Sequence, residues 1–468
     1  MKFVLIAQVQ FFFHVVILSE SEVSRERKVK AIINNCHNFF QRKKLHCEAT
    51  SLRSNFTLTK VKTSQKQKEK IMLTIDNVYS ASNALKGVVR KTDVIYAPKL
   101  CPGVDLYLKT ENLQVTGSFK VRGAYYKMTR LSEEEKARGV IACSAGNHAQ
   151  GVALAAQKNG IKAVICLPDG APISKVEATK SYGAEVCLVE GVYDDAYQKA
   201  LNLRDEKGYT FIHPFDDEDV IAGQGTIALE LIEQLPKIDA VIVPIGGGGL
   251  ISGMAYTLKT INPRIKVYGV QAQGAPSMQQ SLSHGKIETL SSVSTIADGI
   301  AVKKPGDNTY ALCQQYVDEI VTVSDDEISA AILALMEQHK LVTEGAGAVA
   351  VAAAMFHKVD LKGKKTVCLL SGGNIDVTIL SRVIKRGLLM SGRSCQLMIE
   401  LMDKPGQLKN VSRIIADLGG NVTSVHHERA NEGSDVNGCF LRILLETRNY
   451  EHIAQIKQAL TDNGFKLL

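Results

Sequence analysis

Three short stretches of this sequence hold residues whose chemistry exceeds what a folded core requires. Thr116-Gly117-Ser118-Phe119-Lys120-Val121-Arg122-Gly123-Ala124 sets one lysine among small and apolar neighbours. A lysine amine condenses with an aldehyde when it is delivered unprotonated. Burial lowers its pKa, and a neighbouring cation, here Arg122, is expected to lower it further. Ser144-Ala145-Gly146-Asn147-His148-Ala149-Gln150-Gly151 follows an apolar run and opens a helical pattern. The first amides and the dipole of such a helix attract an anion, for which a carboxylate is suited. The amide of Asn147 is placed to hydrogen-bond a ring oxygen. The plainer reading is a helix cap supplied by Ser144 or Asn147. Gly246, Gly247, Gly248, Gly249 and Leu250 lie between another apolar run and another helical pattern. Ordering four consecutive glycines costs backbone entropy, which makes sense where backbone amides must close around a phosphate. A flexible linker is the alternative.

Such residues need rigid elements to position them. From about 107 to 385 the chain alternates short apolar runs with helical patterns. Residues 139–143, 163–167, 185–189, 240–244, 266–270, 319–323 and 366–370 are expected as buried strands, being short, rich in Val and Ile, and bounded by Gly, Pro or Asp. Residues 147–159, 173–182, 194–207 and 327–339 are expected as amphipathic helices. This alternation predicts an α/β fold of parallel sheets covered on both faces. Ligands in such folds collect at the carboxyl ends of the strands. Beyond 393 the pattern changes to strand 395–402, helix 406–418, strands 421–428 and 439–446, helix 450–463 and strand 465–468. That βαββαβ order predicts a separate C-terminal domain.

Of the 56 Lys and Arg and 48 Asp and Glu, 14 and 5 fall in residues 1–71, which leaves 42 and 43 in the rest. The basic excess therefore sits in the leader, and the near-neutral body carries no stripe that would argue for nucleic acid. The ten cysteines form no CxxC, and no histidine pairs flank them at zinc spacing, so no metal is expected. They read as buried, reduced thiols, which points to a reducing, cytoplasmic setting. Residues 3–18 are mostly apolar but short for a membrane span, and no cleavage signature follows them. Residues 1–71 read as a disordered leader or an upstream start outside the fold; a targeting segment is the alternative. The coherent globular pattern begins at Met72.

Taken together and in this order, the three stretches resemble the fold-type-II pyridoxal-phosphate (PLP) enzymes, the tryptophan-synthase-β-like group, and among them the threonine dehydratases (threonine ammonia-lyases). The resemblance covers about residues 76–392. It includes residues 107–114, Ala297-Asp298-Gly299-Ile300-Ala301-Val302, Thr343-Glu344-Gly345-Ala346-Gly347-Ala348 and Ser371-Gly372-Gly373-Asn374. It implies two parallel-sheet subdomains, the smaller (about 110–215) inserted in the larger, within a catalytic domain of residues 72–392. It implies Lys120 as the cofactor-bearing and catalytic lysine, and Asn147 as partner of the ring hydroxyl. Gly246, Gly247, Gly248, Gly249 and Leu250 become the phosphate cup, Ser371 the partner of the pyridine nitrogen, and Ser144, Asn147 and His148 the grip on the substrate carboxylate. The implied reaction takes L-threonine to 2-oxobutyrate, or L-serine to pyruvate, with release of ammonia. Serine racemase is the nearest alternative. It is disfavoured because Ala145 stands where the racemase pattern has a serine, and Gln271 and Ser277 where its metal site would have carboxylates. An amino-acid-binding regulator without activity is the alternative from another class.

Residues 394–468 resemble an ACT domain, through the βαββαβ order, Asp403-Lys404-Pro405-Gly406-Gln407-Leu408 and Leu418-Gly419-Gly420-Asn421-Val422. The resemblance implies side-by-side pairing in a homodimer or homotetramer and a small effector at the shared edge. Isoleucine or valine would suit a biosynthetic role, and a nucleotide a catabolic one. His426 and His427 are read as exposed strand residues.

Overall fold

The computed structural model describes residues 73–428 and 438–468; the leader reading for residues 1–71, and Met72 itself, lie outside them. Ten strands build the main body: β1 (Val94–Tyr96), β2 (Asp105–Lys109), β3 (Val140–Cys143), β4 (Ala163–Pro168), β5 (Glu185–Val189), β6 (Thr210–Phe211), β7 (Ala240–Pro244), β8 (Lys266–Ala272), β9 (Glu319–Val323) and β10 (Lys365–Leu369). They form two sheets, ordered β1-β2-β10-β7-β8-β9 and β5-β4-β3-β6. Every pairing is parallel except β1 with β2. The second sheet comes wholly from chain between β2 and β7.

Central strands β3 and β7 are buried at every position, as uninterrupted Val and Ile runs imply. The expectation of seven buried strands fails for β5 and β9, which are sheet edges with exposed or half-buried residues. Leu188 of β5 is 54% exposed. A short apolar run carries no period that separates an edge strand from a central one.

The helix expected over 327–339 begins earlier, at Asp325–Ala334, because Ser324 and Glu327 form a reciprocal capping box. It then loosens into a π-helical turn, Leu335–His339. Gly345–Met355 is buried through Ala354, which explains its uniformly small, apolar composition: a helix surrounded by core needs no polar face. Among the described residues no helix is long and apolar enough to cross a membrane.

The C-terminal unit is β11 (Ser394–Met402), helix Gln407–Asp417, β12 (Asn421–Glu428), β13 (Gly438–Glu446), helix Tyr450–Asp462 and β14 (Lys466–Leu467). Its sheet order is β12-β13-β11-β14, antiparallel throughout. Leu397, Ile399 and Leu401 alternate inward from β11 to meet Leu441, Ile443 and Leu445 of β13 in the domain's own core. Thr447 Oγ1 donates to the Gly392 carbonyl at 2.7 Å, and Tyr450 OH to that of Met390 at 3.0 Å, tying this unit to the end of helix Val377–Met390.

Candidate active site

Lys120 is the first residue of helix Lys120–Thr129. The turn before it is stitched to the turn after β10: Phe119 N donates to Ser371 O at 3.2 Å and Gly373 N to Gly117 O at 2.8 Å. Residue 117 must be glycine. Its φ is +70°, and a Cβ there would lie 2.3 Å from Asn374 Oδ1. This stitching brings Lys120 and Ser371, 251 residues apart, to one cavity.

Arg122 does not act on Lys120, contrary to the sequence expectation. Its guanidinium, 1% exposed, is held by Glu111 at 2.8 Å and Glu230 at 2.6 Å. Lys109 also binds Glu230 at 2.6 Å, and Thr92 Oγ1 donates to Glu111 at 2.6 Å. These buried charges are therefore paired and hydrogen-bonded, and they clamp the lysine's helix to β2 and to helix Glu218–Gln234. Burial pushes the Lys120 amine down to about 8, against the opposing pull of Glu344. Its Nζ donates to the Pro214 carbonyl at 2.7 Å.

Helix Asn147–Asn159 starts at the carboxyl end of β3. Neither Ser144 nor Asn147 caps it: the N-cap is Gly146, with no side-chain cap. Ser144 Oγ instead accepts from Gly146 N at 3.2 Å. The Asn147 side chain is gripped from both sides. Its Nδ2 donates to Glu344 Oε1 at 2.6 Å, and its Oδ1 accepts from Asn374 Nδ2 at 2.7 Å. One N–H and one lone pair remain for a ligand. His148 is buried, and burial first and the Lys120 charge second push its pKa down to about 3. Its Nε2 lies 2.9 Å from the Ile212 carbonyl. The imidazole is thus neutral, donates there, and keeps only an acceptor at Nδ1.

The glycine run is ordered and largely buried, not a flexible linker. Gly248 has φ +100°, and helix Gly249–Ile261 begins without a side-chain cap, so its first amides are open to a ligand. A Cβ on Gly247 would lie 2.4 Å from the Phe215 ring, and one on Gly249 would lie 2.7 Å from the Phe215 carbonyl oxygen. Thr309 Oγ1 donates to Gly247 O at 2.6 Å and fixes the loop.

A cavity of about 890 Å³ joins these pieces. Lys120, Ser144, Asn147, His148, Gly246, Gly247, Gly248, Gly249, Leu250 and Ser371 all line it. Two groups that sequence reasoning did not single out complete it. Glu344 lines the cavity and holds Asn147, while Asn374 joins Asn147 to the lysine turn through its bond to Thr116 O at 2.8 Å. Both lie in the quoted motifs, but nothing in their spacing pairs them with Asn147. The donor set fits a phosphorylated pyridine aldehyde: a buried amine of lowered pKa, an amide with free valence, uncapped helix amides and a neutral hydroxyl.

Burial first, and Asp298 second, push the Glu344 carboxyl up to about 7, from an ordinary value of 4.5. Between those values the folded chain keeps a proton that the unfolded chain has lost. Stability therefore falls as pH rises through that window, by about 3 kcal/mol in all. Glu344→Gln removes this titration and keeps an acceptor for Asn147. Its melting temperature is expected to exceed that of the unsubstituted chain at pH 8, with the gap closing near pH 5. An equal shift at both pH values would discard the assignment.

A family model described as "Pyridoxal-phosphate dependent enzyme" matches residues 85–372, and an ACT domain model matches 396–462. The chain is 50% identical to L-threonine ammonia-lyase of Thermotoga maritima over 398 residues, covering 85% of this chain and 99% of that protein. It is similar to the structure of processed threonine deaminase isoform 2 from Solanum lycopersicum, with 41% identity, a TM-score of 0.63, and coverage of 67% of this chain and 89% of that one. Maize serine racemase is also similar, with 37% identity, a TM-score of 0.64, and coverage of 68% and 99%.

Proposed function

The chain belongs to the pyridoxal-phosphate-dependent enzymes, and from that membership we propose that it converts L-threonine to 2-oxobutyrate and ammonia, and L-serine to pyruvate and ammonia. The observation that carries this reading is the meeting of Lys120, the glycine loop and Ser371 in one cavity. Bound there, PLP supplies an electron-withdrawing ring that acidifies the substrate α-carbon. Lys120 would anchor the cofactor, and its Nζ would take the α-proton of the substrate. Its lowered pKa leaves a useful fraction of neutral amine at physiological pH. The amides of residues 247–250 would hold the phosphate, and Asn147 the ring oxygen.

The substrate carboxylate meets the opening amides of helix Asn147–Asn159 and Ser144 Oγ. His148 contributes there through its backbone N–H, since its imidazole is neutral and has no donor left. Ser371 Oγ, which donates to the Ala346 carbonyl at 3.2 Å, would turn that hydroxyl to the ring nitrogen, and a hydroxyl cannot hold that nitrogen protonated as a carboxylate would. This favours immediate loss of the β-hydroxyl over transamination. Ser371→Asp is expected to slow elimination and raise side reactions. Unchanged kinetics would remove Ser371 from reaction choice.

Racemisation needs an acid–base group on the opposite ring face, and Ala145 offers none. Gln271 is spent inside the fold, where its Oε1 accepts from Gln279 N at 2.9 Å. A 2-oxo acid assay on threonine and serine, with a chiral assay of residual serine, tests the reading. Racemised serine without oxo acid, or no turnover at all, overturns it.

In this reading residues 72–392 are the catalytic domain, with the smaller subdomain at about 110–215, and residues 394–468 are a regulatory domain that binds an amino acid or nucleotide. The assembly is a homodimer or homotetramer, and the setting is cytoplasmic. Allostery requires an effector to bind two global states unequally. Deleting residues 394–468 is expected to leave turnover and abolish the response to isoleucine, valine, AMP or ADP. A truncated enzyme that still responds would locate the effector elsewhere.

A further inference from the structure

Outside the cavity lined by the residues assigned to catalysis, three potential metal ligands converge in the C-terminal domain. Asp403 follows β11 at the turn into helix Gln407–Asp417, His427 lies near the end of edge strand β12, and Cys439 lies at the start of β13. Register explains the convergence. Leu401 pairs with Cys439, and His427 pairs with Leu441. Side chains two residues apart on a strand share a face, so residues 427 and 439 occupy one end of one face, and the bend just after β11 sets Asp403 beside them. One ligand atom from each lies within 4.8 Å of the other two. His427 Nε2 and Cys439 Sγ are already 3.0 Å apart. Cys439 is 1% exposed, whereas Asp403 and His427 reach solvent.

The geometry points to a zinc-class transition-metal site made by Asp403, His427 and Cys439, with its fourth position open to water. Thiolate and imidazole together select zinc over magnesium or calcium, and three protein ligands plus an open position is a zinc arrangement. Tetrahedral ligation at zinc bond lengths separates ligand atoms by about 3.3–3.8 Å. The His–Cys pair is near that range, and Asp403, on an exposed turn, closes by side-chain rotation. The thiol proton leaves to solvent on binding. A carboxylate and a thiolate then neutralise a divalent ion, which cross-links the turn after β11 to both β12 and β13. The site rests on the C-terminal domain alone, so its failure would leave the proposed elimination untouched.

The test uses the full-length, cofactor-loaded protein after chelator treatment, titrated with Zn²⁺ against a chromophoric chelator and separately with Co²⁺. One equivalent of Zn²⁺ per chain is expected, with a thiolate-to-cobalt charge-transfer band in the Co²⁺ form. His427→Ala and Cys439→Ser are each expected to weaken binding by about 100-fold or more, because losing a direct ligand exceeds the roughly 10–100-fold cost of losing an outer-shell partner. His427 is exposed, so that variant keeps the fold, which metal-free circular dichroism checks; Cys439→Ser preserves core volume. No stoichiometric binding, an undiminished affinity in both variants, or a Co²⁺ complex lacking the thiolate band would each overturn the site.

Discussion

Lys120→Ala loses 2-oxo acid formation from threonine by at least about 10³-fold, within the range that one positioned acid–base group supplies. The absorbance of the lysine-bound cofactor disappears with it. The same amine carries both effects, as anchor and as proton acceptor, so the loss exceeds that of removing either role alone. The fold should survive. Among the described residues, Lys120 Nζ makes a single hydrogen bond, to Pro214 O. Removing a buried amine also removes its desolvation cost. The Arg122 network that holds the helix does not include Lys120. Oxo acid production and the visible spectrum of the purified variant measure both effects. Turnover at the unsubstituted rate would take Lys120 out of the chemistry, and the reading of the whole cavity with it.

Gly247→Ala should weaken cofactor binding by about 10–100-fold, measured as a PLP titration of the cofactor-free protein. One added methyl lies 2.4 Å from three Phe215 ring carbons. Phe215 has little room to retreat, since its backbone also abuts Gly249. Overpacking of this kind costs typically 1–3 kcal/mol, and each 1.4 kcal/mol is a factor of ten in affinity. The strain falls on the loop proposed to hold the phosphate, so cofactor affinity should fall more than global stability. A variant that binds PLP as tightly as the unsubstituted chain would show that the loop adapts, and that its glycines serve packing alone.

The strand–helix alternation, the placement of Asn147 and of the glycine run at strand ends, and the break into a second domain near residue 393 were all legible in the linear chain. Each depends on local period, local turn chemistry or neighbours in sequence, and such signals survive without coordinates. The sequence could not say that Arg122 turns toward Glu111 and Glu230, since Glu230 lies 108 residues away and only folding sets it against the guanidinium. It could not separate edge strands β5 and β9 from central ones, because edge status is a property of the assembled sheet.

Glu344 and Asn374 became parts of the site only when folding set both against Asn147. Asp403, His427 and Cys439 share no spacing that a metal motif would have, and strand register together with the turn after β11 brings them together. What the order of residues determined by itself was the kind of elements, their succession, and the stretches able to do chemistry. The tertiary structure decided which distant side chains face one another, because charge pairing, pKa shifts and ligand geometry act through space over a few ångströms, however far apart the residues lie along the chain.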